Sequence, residues 1–252
     1  MNVGIDARVL EKDITGIGRY LQDILNGLPS FDKDNSYFLF SYDKLNFNPD
    51  FYSNISTGNI NLPDKLSSAF WLNFMLHKYL KSFKIDVFFT PNHLLPLLNI
   101  PVKSVITVHD LAHKENKKYH PFFYRSYVNI LLPNSLRKSD KIITISEYSK
   151  KDIIKTYKIE PSKIEVIYRT ADKKFVNKTV TENERNILTK KFNLPRLFVL
   201  YVGMIENRKN IYGILKISDL LKKKNEKTVR IFVSKNTVGL LNAIAAIAAA
   251  VY

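Results

Sequence analysis

The sequence predicts an α/β protein: a doubly wound parallel sheet, followed by the start of a second α/β domain. Three observations predict it. Strand-like apolar runs alternate with segments of helical period from Met1 to about residue 170, the order that a parallel sheet covered by helices requires. The chain opens on Met1-Asn-Val-Gly-Ile-Asp-Ala-Arg8 and passes through Thr15-Gly-Ile-Gly-Arg19 into a helix. In such strand–loop–helix units, ligands sit at the carboxyl end of the strand and anions at the helix N-terminus. Last, a polar stretch to Pro195 precedes a fresh strand, helix and strand.

The elements follow in order. Val3 and Ile5 make the first strand a buried one, closed by Asp6, with Asp6 read as a cap or turn residue. Ile17, Tyr20, Leu21, Ile24, Leu25 and Leu28 recur at the spacing of one helix face, which must pack on that strand. Tyr37 to Tyr42 is a second strand, and the Asn-, Pro- and Gly-dotted stretch to Pro63 is loop with one short strand. Leu66 to Phe83 is a long amphipathic helix with Leu66, Phe70, Phe74, His77 and Leu80 or Lys81 on one stripe and Trp71 and Met75 beside it. As a core-facing crossover it leads directly into the strand Asp86–Thr90; a basic aromatic helix of this kind also suits a membrane surface. Lys103–Val108 forms the next strand, Pro121–Lys138 a helix kinked at Pro133, and Asp140–Ile145 another strand. Ser146 caps the following helix, Pro161 opens a short turn, and Ile164–Tyr168 is the last strand of the first domain.

The expected organisation is a first domain over residues 1–170, a connector over 171–195 with a helix opened by the capping box Thr181-Glu-Asn-Glu184, and a second domain over 196–252. That second domain begins with Leu197–Val202, a helix over Ile211–Lys224 and Val229–Val233, then runs into an alanine-rich tract, Ala243–Ala250, unable to supply further strands. It is expected to be truncated, swapped with another copy, or incompletely represented.

With 252 residues, 45% hydrophobic and 25% charged, the composition is that of a globular protein with room for a sizeable core. The absence of cysteine excludes disulfides and thiolate chemistry. No charged-then-apolar leader and no bilayer-length apolar run is present, so the expected location is cytoplasmic, and the sequons at Asn54 and Asn177 carry no meaning there. A net charge of +16 favours anionic partners such as phosphorylated substrates, acidic membrane surfaces or nucleic acid. The lysines are nevertheless spread along the chain, as a solvated coat would be. Lys222–Lys224, the one tight run, ends a helix, where cations offset the dipole, so nucleic acid is not expected as a partner.

Four polar groups fall at strand ends: Gly16 with Gly18, His109 with Asp110, Ser146 with Glu147, and Arg208 with Lys209 after Gly203. They are expected to converge on one cleft. Cations at a helix N-terminus are unfavourable without an anion, so Arg208 and Lys209 suit a diphosphate clamp. His109 can hydrogen-bond a sugar or acceptor hydroxyl, with Asp110 fixing its tautomer. His109-Asp-Leu-Ala-His113 imitates a zinc-protease helix, but His109 ends a strand and the two histidines do not share a helix face, so no metal site is expected. His77, His93, His113 and His120 are taken as loop or packing residues.

Gly4–Arg8, Thr15–Tyr20, Asp86–His93, Val105–Leu111, Asp140–Glu147, Ile164–Tyr168 and Tyr201–Gly203 with Arg208–Asn210 together resemble the retaining glycosyltransferases of family four, in that family's order. The resemblance implies a GT-B architecture of two Rossmann-like domains, the first for the acceptor and the second for a nucleotide-diphosphate sugar. It implies no metal and no cofactor other than that co-substrate. Gly16 and Gly18 would approach the donor phosphates, with Arg19, Ser146 and Gly203 completing the donor-binding set. His109 and Asp110 would face the transferred sugar or acceptor, and Arg208 with Lys209 would stabilise the departing diphosphate. Tyr168-Arg-Thr-Ala-Asp172 stands where the family has Asn-Gly-Val-Asp, and its C-terminal pair of glutamates has no counterpart after Ser234. The expected activity is retaining, metal-independent hexosyl transfer to an acceptor hydroxyl in polysaccharide or glycolipid synthesis, on a sugar or lipid-linked acceptor at the inner face of a membrane. The alternative is a non-catalytic acceptor- or sugar-binding module without a complete donor site.

Overall fold

The computed structural model describes residues 1–11, 16–45, 47–48, 50–58, 64–98, 100–115, 122–170, 181–192, 198–202, 209–223 and 230–234. The chain divides into two compact units, Met1–Arg169 and Thr170–Tyr252. The first contains β1 (Asn2–Asp6), α1 (Gly16–Phe31), β2 (Ser36–Ser41), β3 (Tyr52–Ser56), α2 (Asp64–Phe70), α3 (Leu76–Ser82), β4 (Val87–Thr90), β5 (Lys103–Val108), α4 (Ala112–Glu115), α5 (Phe122–Lys138), β6 (Lys141–Thr144), α6 (Glu147–Tyr157) and β7 (Ile164–Val166). Its seven strands lie in the order β3-β2-β1-β4-β5-β6-β7, and every pairing is parallel. The chain winds outward from β1 to β3, crosses back, and continues from β4 on the other side of β1. The switch point, where a doubly wound sheet opens its crevice, is therefore between β1 and β4.

Alternation along the strands feeds two cores. Tyr37 and Leu39 of β2 join Ile5, Leu21, Leu25 and Tyr52, whereas Phe40 joins Trp71, Leu76, Leu80, Phe88 and Ile106 on the opposite face. The face predicted for α1 is the one that packs, since Tyr20, Leu21 and Leu25 are buried. The crossover helix departs from its predicted stripe. Between α2 and α3 lies a π-helical turn, Trp71–Met75, which advances the helix face. Trp71, Leu72, Leu76 and Leu80 are buried as a result. Phe70 and Phe74, predicted on the stripe, remain 42% and 63% exposed with ring centroids 5.0 Å apart. Extra residues within a helical turn break the 3.6-residue register that the stripe assumed.

At the caps, local chemistry decides the geometry. Ser146 takes extended backbone angles and its side chain accepts from the Ser149 N–H, as predicted. In the second unit α7 (Glu182–Phe192) starts with a reciprocal box: the Glu184 carboxylate accepts from the Thr181 N–H at 3.0 Å, and Thr181 Oγ1 accepts from the Glu184 N–H at 3.3 Å. There β8 (Phe198–Val202), α8 (Ile211–Lys223) and β9 (Arg230–Ser234) form a parallel β-α-β unit, with Phe198 opposite Arg230 and Val202 opposite Ser234. The alanine-rich tract lies outside the described residues.

Gly4 shows how tightly the first sheet is packed at its centre. A Cβ there would lie 2.8 Å from the Phe40 ring and 3.1 Å from Ile85 Cγ2, and Phe40 is fully buried. Gly4→Ala is expected to destabilise the first unit by about 1–3 kcal/mol through overpacking. Chemical denaturation with unchanged slope and a lower midpoint would register it.

Candidate functional site

The carboxyl edge of the first sheet is assembled from the ends of β1, β4, β5, β6 and β7. At the end of β1, Asp6 is buried and Arg8 turns back over it. The Arg8 Nε and Nη2 donate to the two Asp6 carboxylate oxygens, each at 2.8 Å. Nη1 donates to the Tyr42 hydroxyl at 3.1 Å and to Ser68 Oγ at 3.0 Å. The guanidinium carbon stands 3.9 Å from the Trp71 ring centroid. Burial works against the Arg8 charge, but Asp6 outweighs it, by charge and by hydrogen bond, and the guanidinium is held protonated above its ordinary range. Asp6 is thus a buried ion-pair partner in addition to the turn residue it was read as, since its Oδ1 also accepts from the Arg8 N–H at 3.3 Å. The pair needs Tyr42, Ser68 and Trp71, which are remote in sequence, so local pattern does not reveal it.

The chain re-enters the edge at α1. Gly16 is the first helical residue and is exposed, while Gly18 lies within the first turn and is buried. Adding a Cβ to Gly16 meets nothing within 4 Å, so backbone there is open to an approaching group. Arg19 donates to Gln22 Oε1 at 2.9 Å, along its own helix.

His109 follows the end of β5. Its Nε2 lies 3.0 Å from the Pro91 carbonyl oxygen. A carbonyl only accepts, so Nε2 carries the proton and in the neutral ring Nδ1 is an acceptor. The imidazole meets the Tyr20 ring edge-on, centroids 4.9 Å apart, and Tyr20 is tied to Thr107 by a 3.2 Å hydroxyl contact. Burial pushes the His109 pKa down; the Pro91 hydrogen bond opposes this, Arg169 adds to it, and Asp110 opposes it more weakly. The role assigned to Asp110 is corrected: its Oδ1 accepts from the Ala112 N–H at 3.0 Å, capping α4, and Pro91 selects the tautomer. An exposed aspartate two residues before a helix is drawn to the free N–H groups there.

Ser146 stands at the end of β6, its hydroxyl engaged in capping α6. Ser149 of the same helix donates to the His109 carbonyl at 3.0 Å, joining the two strand ends. Arg169, after β7, is a residue that the sequence did not single out for this edge. It donates to the Gly16 carbonyl and to Asp23 Oδ2, both at 3.4 Å, with its guanidinium carbon 5.6 Å from the Tyr20 centroid. The structure therefore brings Gly16, Tyr20, His109, Ser146 and Arg169 to one edge of the first unit. Lys209 is exposed in the second unit. Gly203 and Arg208 lie outside the described residues.

A cavity of about 610 Å³ occurs elsewhere, lined by Ile85, Leu95, Ile100, Val102, Lys103 and Asp140 among others. These residues precede or begin β4, β5 and β6, so it opens at the amino edge, away from His109.

A parallel sheet with a glycine-opened helix beside its switch point, and a neutral histidine at a neighbouring strand end, belongs to α/β proteins that hold small ligands at their carboxyl edge. The pattern of Glycosyltransferase Family 4 matches residues 14–175, and the chain belongs to that family. It is 32% identical over 130 residues to the O-antigen chain mannosyltransferase RfbU of Salmonella typhimurium, a match covering 50% of this chain and 31% of that one. It is 27% identical over 143 residues to O-antigen chain mannosyltransferase B of Escherichia coli, covering 56% and 36%. The matched stretch thus spans about a third of each relative. Among solved structures, WaaG, a glycosyltransferase involved in lipopolysaccharide biosynthesis, superposes with a TM-score of 0.65 at 14% identity, over 96% of this chain and 72% of that one. Anabaena Alr3699/HepE in complex with UDP-glucose does so with 0.56 at 12%, over 99% and 71%. These likenesses are of fold, and they place the α/β architecture among GT-B glycosyltransferases.

Removing one partner of the ion pair leaves the other charge buried. Arg8→Ala is expected to cost about 3–5 kcal/mol, and a double replacement of Asp6 and Arg8 by apolar residues of similar volume much less. Equilibrium unfolding of the two variants beside the wild type measures the difference.

Proposed function

We propose that this chain serves a glycosyltransferase that moves a hexosyl group from a nucleotide-diphosphate sugar to an acceptor hydroxyl, with retention and without a metal or further cofactor, in polysaccharide or glycolipid synthesis. The observation that carries this reading is His109: a strand-end imidazole on the carboxyl edge, in a family-four chain, whose tautomer leaves Nδ1 as an acceptor. O-antigen mannosyltransferases among the relatives support a polysaccharide product. A UDP-glucose complex among the structural neighbours supports a nucleotide-sugar donor.

In this mechanism the bond from the anomeric carbon to the diphosphate oxygen breaks, and its electron pair leaves with the diphosphate. The acceptor oxygen bonds to the same carbon face, and its proton passes to the departing phosphate oxygen. His109 Nδ1 accepts from a hydroxyl of the transferred sugar or acceptor, with Asp110 beside it; Gly16, Gly18, Arg19, Ser146 and Gly203 are assigned to donor binding. Arg208 and Lys209 hold the outgoing charge, the step at which fixed cations lower a barrier most.

The reading includes peripheral attachment at the inner, cytoplasmic face of a membrane. Among the described residues no helix is long and apolar enough to cross a membrane. Exposed Phe70 and Phe74 on the crossover helix, with Lys78 and Lys81 following, support an interfacial contact.

In the intact protein, Arg208→Ala is expected to lower turnover of a labelled nucleotide-diphosphate hexose at least about 100-fold, the size of losing one oxyanion donor, while leaving acceptor binding intact. Unchanged turnover would reject the assignment, and acceptor binding without any transfer in the wild type would favour a binding module. Attachment is read separately: Phe70→Ser with Phe74→Ser is expected to reduce co-flotation with vesicles containing anionic lipid.

A further inference from the structure

Arg169 comes from the far edge of the sheet, after β7, yet its guanidinium lies against α1, which packs on β1. It is 153 residues from Gly16 in sequence and donates to that residue's carbonyl. Its second anchor is Asp23, one α1 turn beyond Tyr20. Both bonds are long, and both partners are on the same helix, so Arg169 spans the first turns of α1. Tyr20 touches both groups: the Arg169 guanidinium carbon stands 5.6 Å from its ring centroid, and the His109 imidazole meets it edge-on at 4.9 Å. Tyr20 is buried, and a cation packed on the same buried ring as an imidazole repels its protonated form more than it would in bulk water.

Among the described residues, the charged and titratable groups facing His109 from the elements packed against it are the following. From α1 comes Tyr20, whose hydroxyl is held on Thr107, with Asp23 behind it on Arg169. The exit of β4 offers the Pro91 carbonyl, and α6 offers the Ser149 hydroxyl, which is spent on the His109 backbone. Asp110 is adjacent in sequence and engaged with α4. Arg169 from the exit of β7 is therefore the one full positive charge set against the ring among these groups.

We propose that Arg169 is a positioning residue for His109: acting through the Tyr20 ring, it keeps Nδ1 unprotonated while pinning the first turn of α1, so that the edge presents a hydrogen-bond acceptor to a substrate hydroxyl. With Nε2–H committed to Pro91, a second proton can only be added at Nδ1, the atom that must stay free. This deepens, and rests on, the reading of His109 as the residue that meets sugar or acceptor. Arg169, within the stretch that departs from the family pattern, thereby has a local task in this chain.

The sign of the pH effect follows directly. A histidine with a depressed folded pKa is neutral at pH values where the free side chain is half protonated, so its acceptor function is present above the folded pKa and lost as pH falls through it. Removing a positive neighbour raises the folded pKa and moves that loss to higher pH.

The test is a histidine-ring NMR titration of the whole chain, with the His109 signal identified by its disappearance in His109→Asn. Arg169→Gln is expected to raise the His109 midpoint by roughly half a pH unit, and Arg169→Lys, which keeps the charge, to leave it near the wild-type value. Asp23→Asn, which leaves the Arg169 charge uncompensated, is expected to move the midpoint the other way. Backbone amide spectra of each variant confirm the fold. An unmoved midpoint in Arg169→Gln, or an equal shift in Arg169→Lys, overturns the proposal. The acid limb of kcat/KM in the intact protein tests the reading underneath: a limb that ignores shifts seen by NMR removes His109 from the reaction and leaves the Arg169–His109 coupling standing.

Discussion

The buried Asp6–Arg8 pair is the constraint on which the carboxyl edge depends. A doubly wound sheet leaves a gap where its winding reverses, and here β1 ends beside that gap. Arg8 fills it with a charge, which is tolerable because nearly every donor has a partner: Asp6 beneath, Tyr42 from the end of β2, Ser68 from the crossover helix, and the Trp71 face above. Thr90, at the end of β4, also points at Asp6, at 3.5 Å. Three strands' ends and one helix are thus referred to a single guanidinium. Such a pair adds little net stability compared with a packed apolar cluster, but it specifies one arrangement, because each departure leaves a charge unpaired in a dry place.

From that fixed corner the edge becomes progressively more open. Asp6 and Tyr20 are buried, Arg8 and His109 are half-buried, and Gly16 and Asp110 face solvent. This gradient suits a ligand edge: rigid groups set geometry from below, while the groups that touch a ligand stay accessible. The histidine is oriented entirely by neighbours, through a carbonyl on one nitrogen, an aromatic edge against the ring and a serine on its backbone.

Much of this was legible in the sequence where the signal is local. The α1 face, the Ser146 cap and the Thr181–Glu184 box each depend on residues within a turn or two of one another, and pattern reading sees those. What escaped depends on long-range packing. The carboxylate at position 6 shows in the sequence only its turn role, which it keeps; its ion pair emerges when Ser68 and Trp71 are brought over Arg8. Asp110 looks like a tautomer-setting partner until the short helix after it claims its oxygen. The crossover helix was placed correctly, but its exposed aromatics were not, since a π turn leaves little trace in periodicity. Arg169 was visible only as a departure from a family pattern, because its partners on α1 lie some 150 residues earlier.

The central claim is that ligands of this family-four chain meet the first unit along the carboxyl edge at β1, β4, β5 and β6. Amide chemical-shift mapping of the whole chain titrated with UDP and, separately, with an O-antigen oligosaccharide tests it most directly. Perturbations are expected to gather at Ala7, Gly16 to Tyr20, His109 and Ser146. Perturbations confined to the amino-edge cavity around Leu95, Val102 and Lys103, with that opposite edge silent, would contradict it.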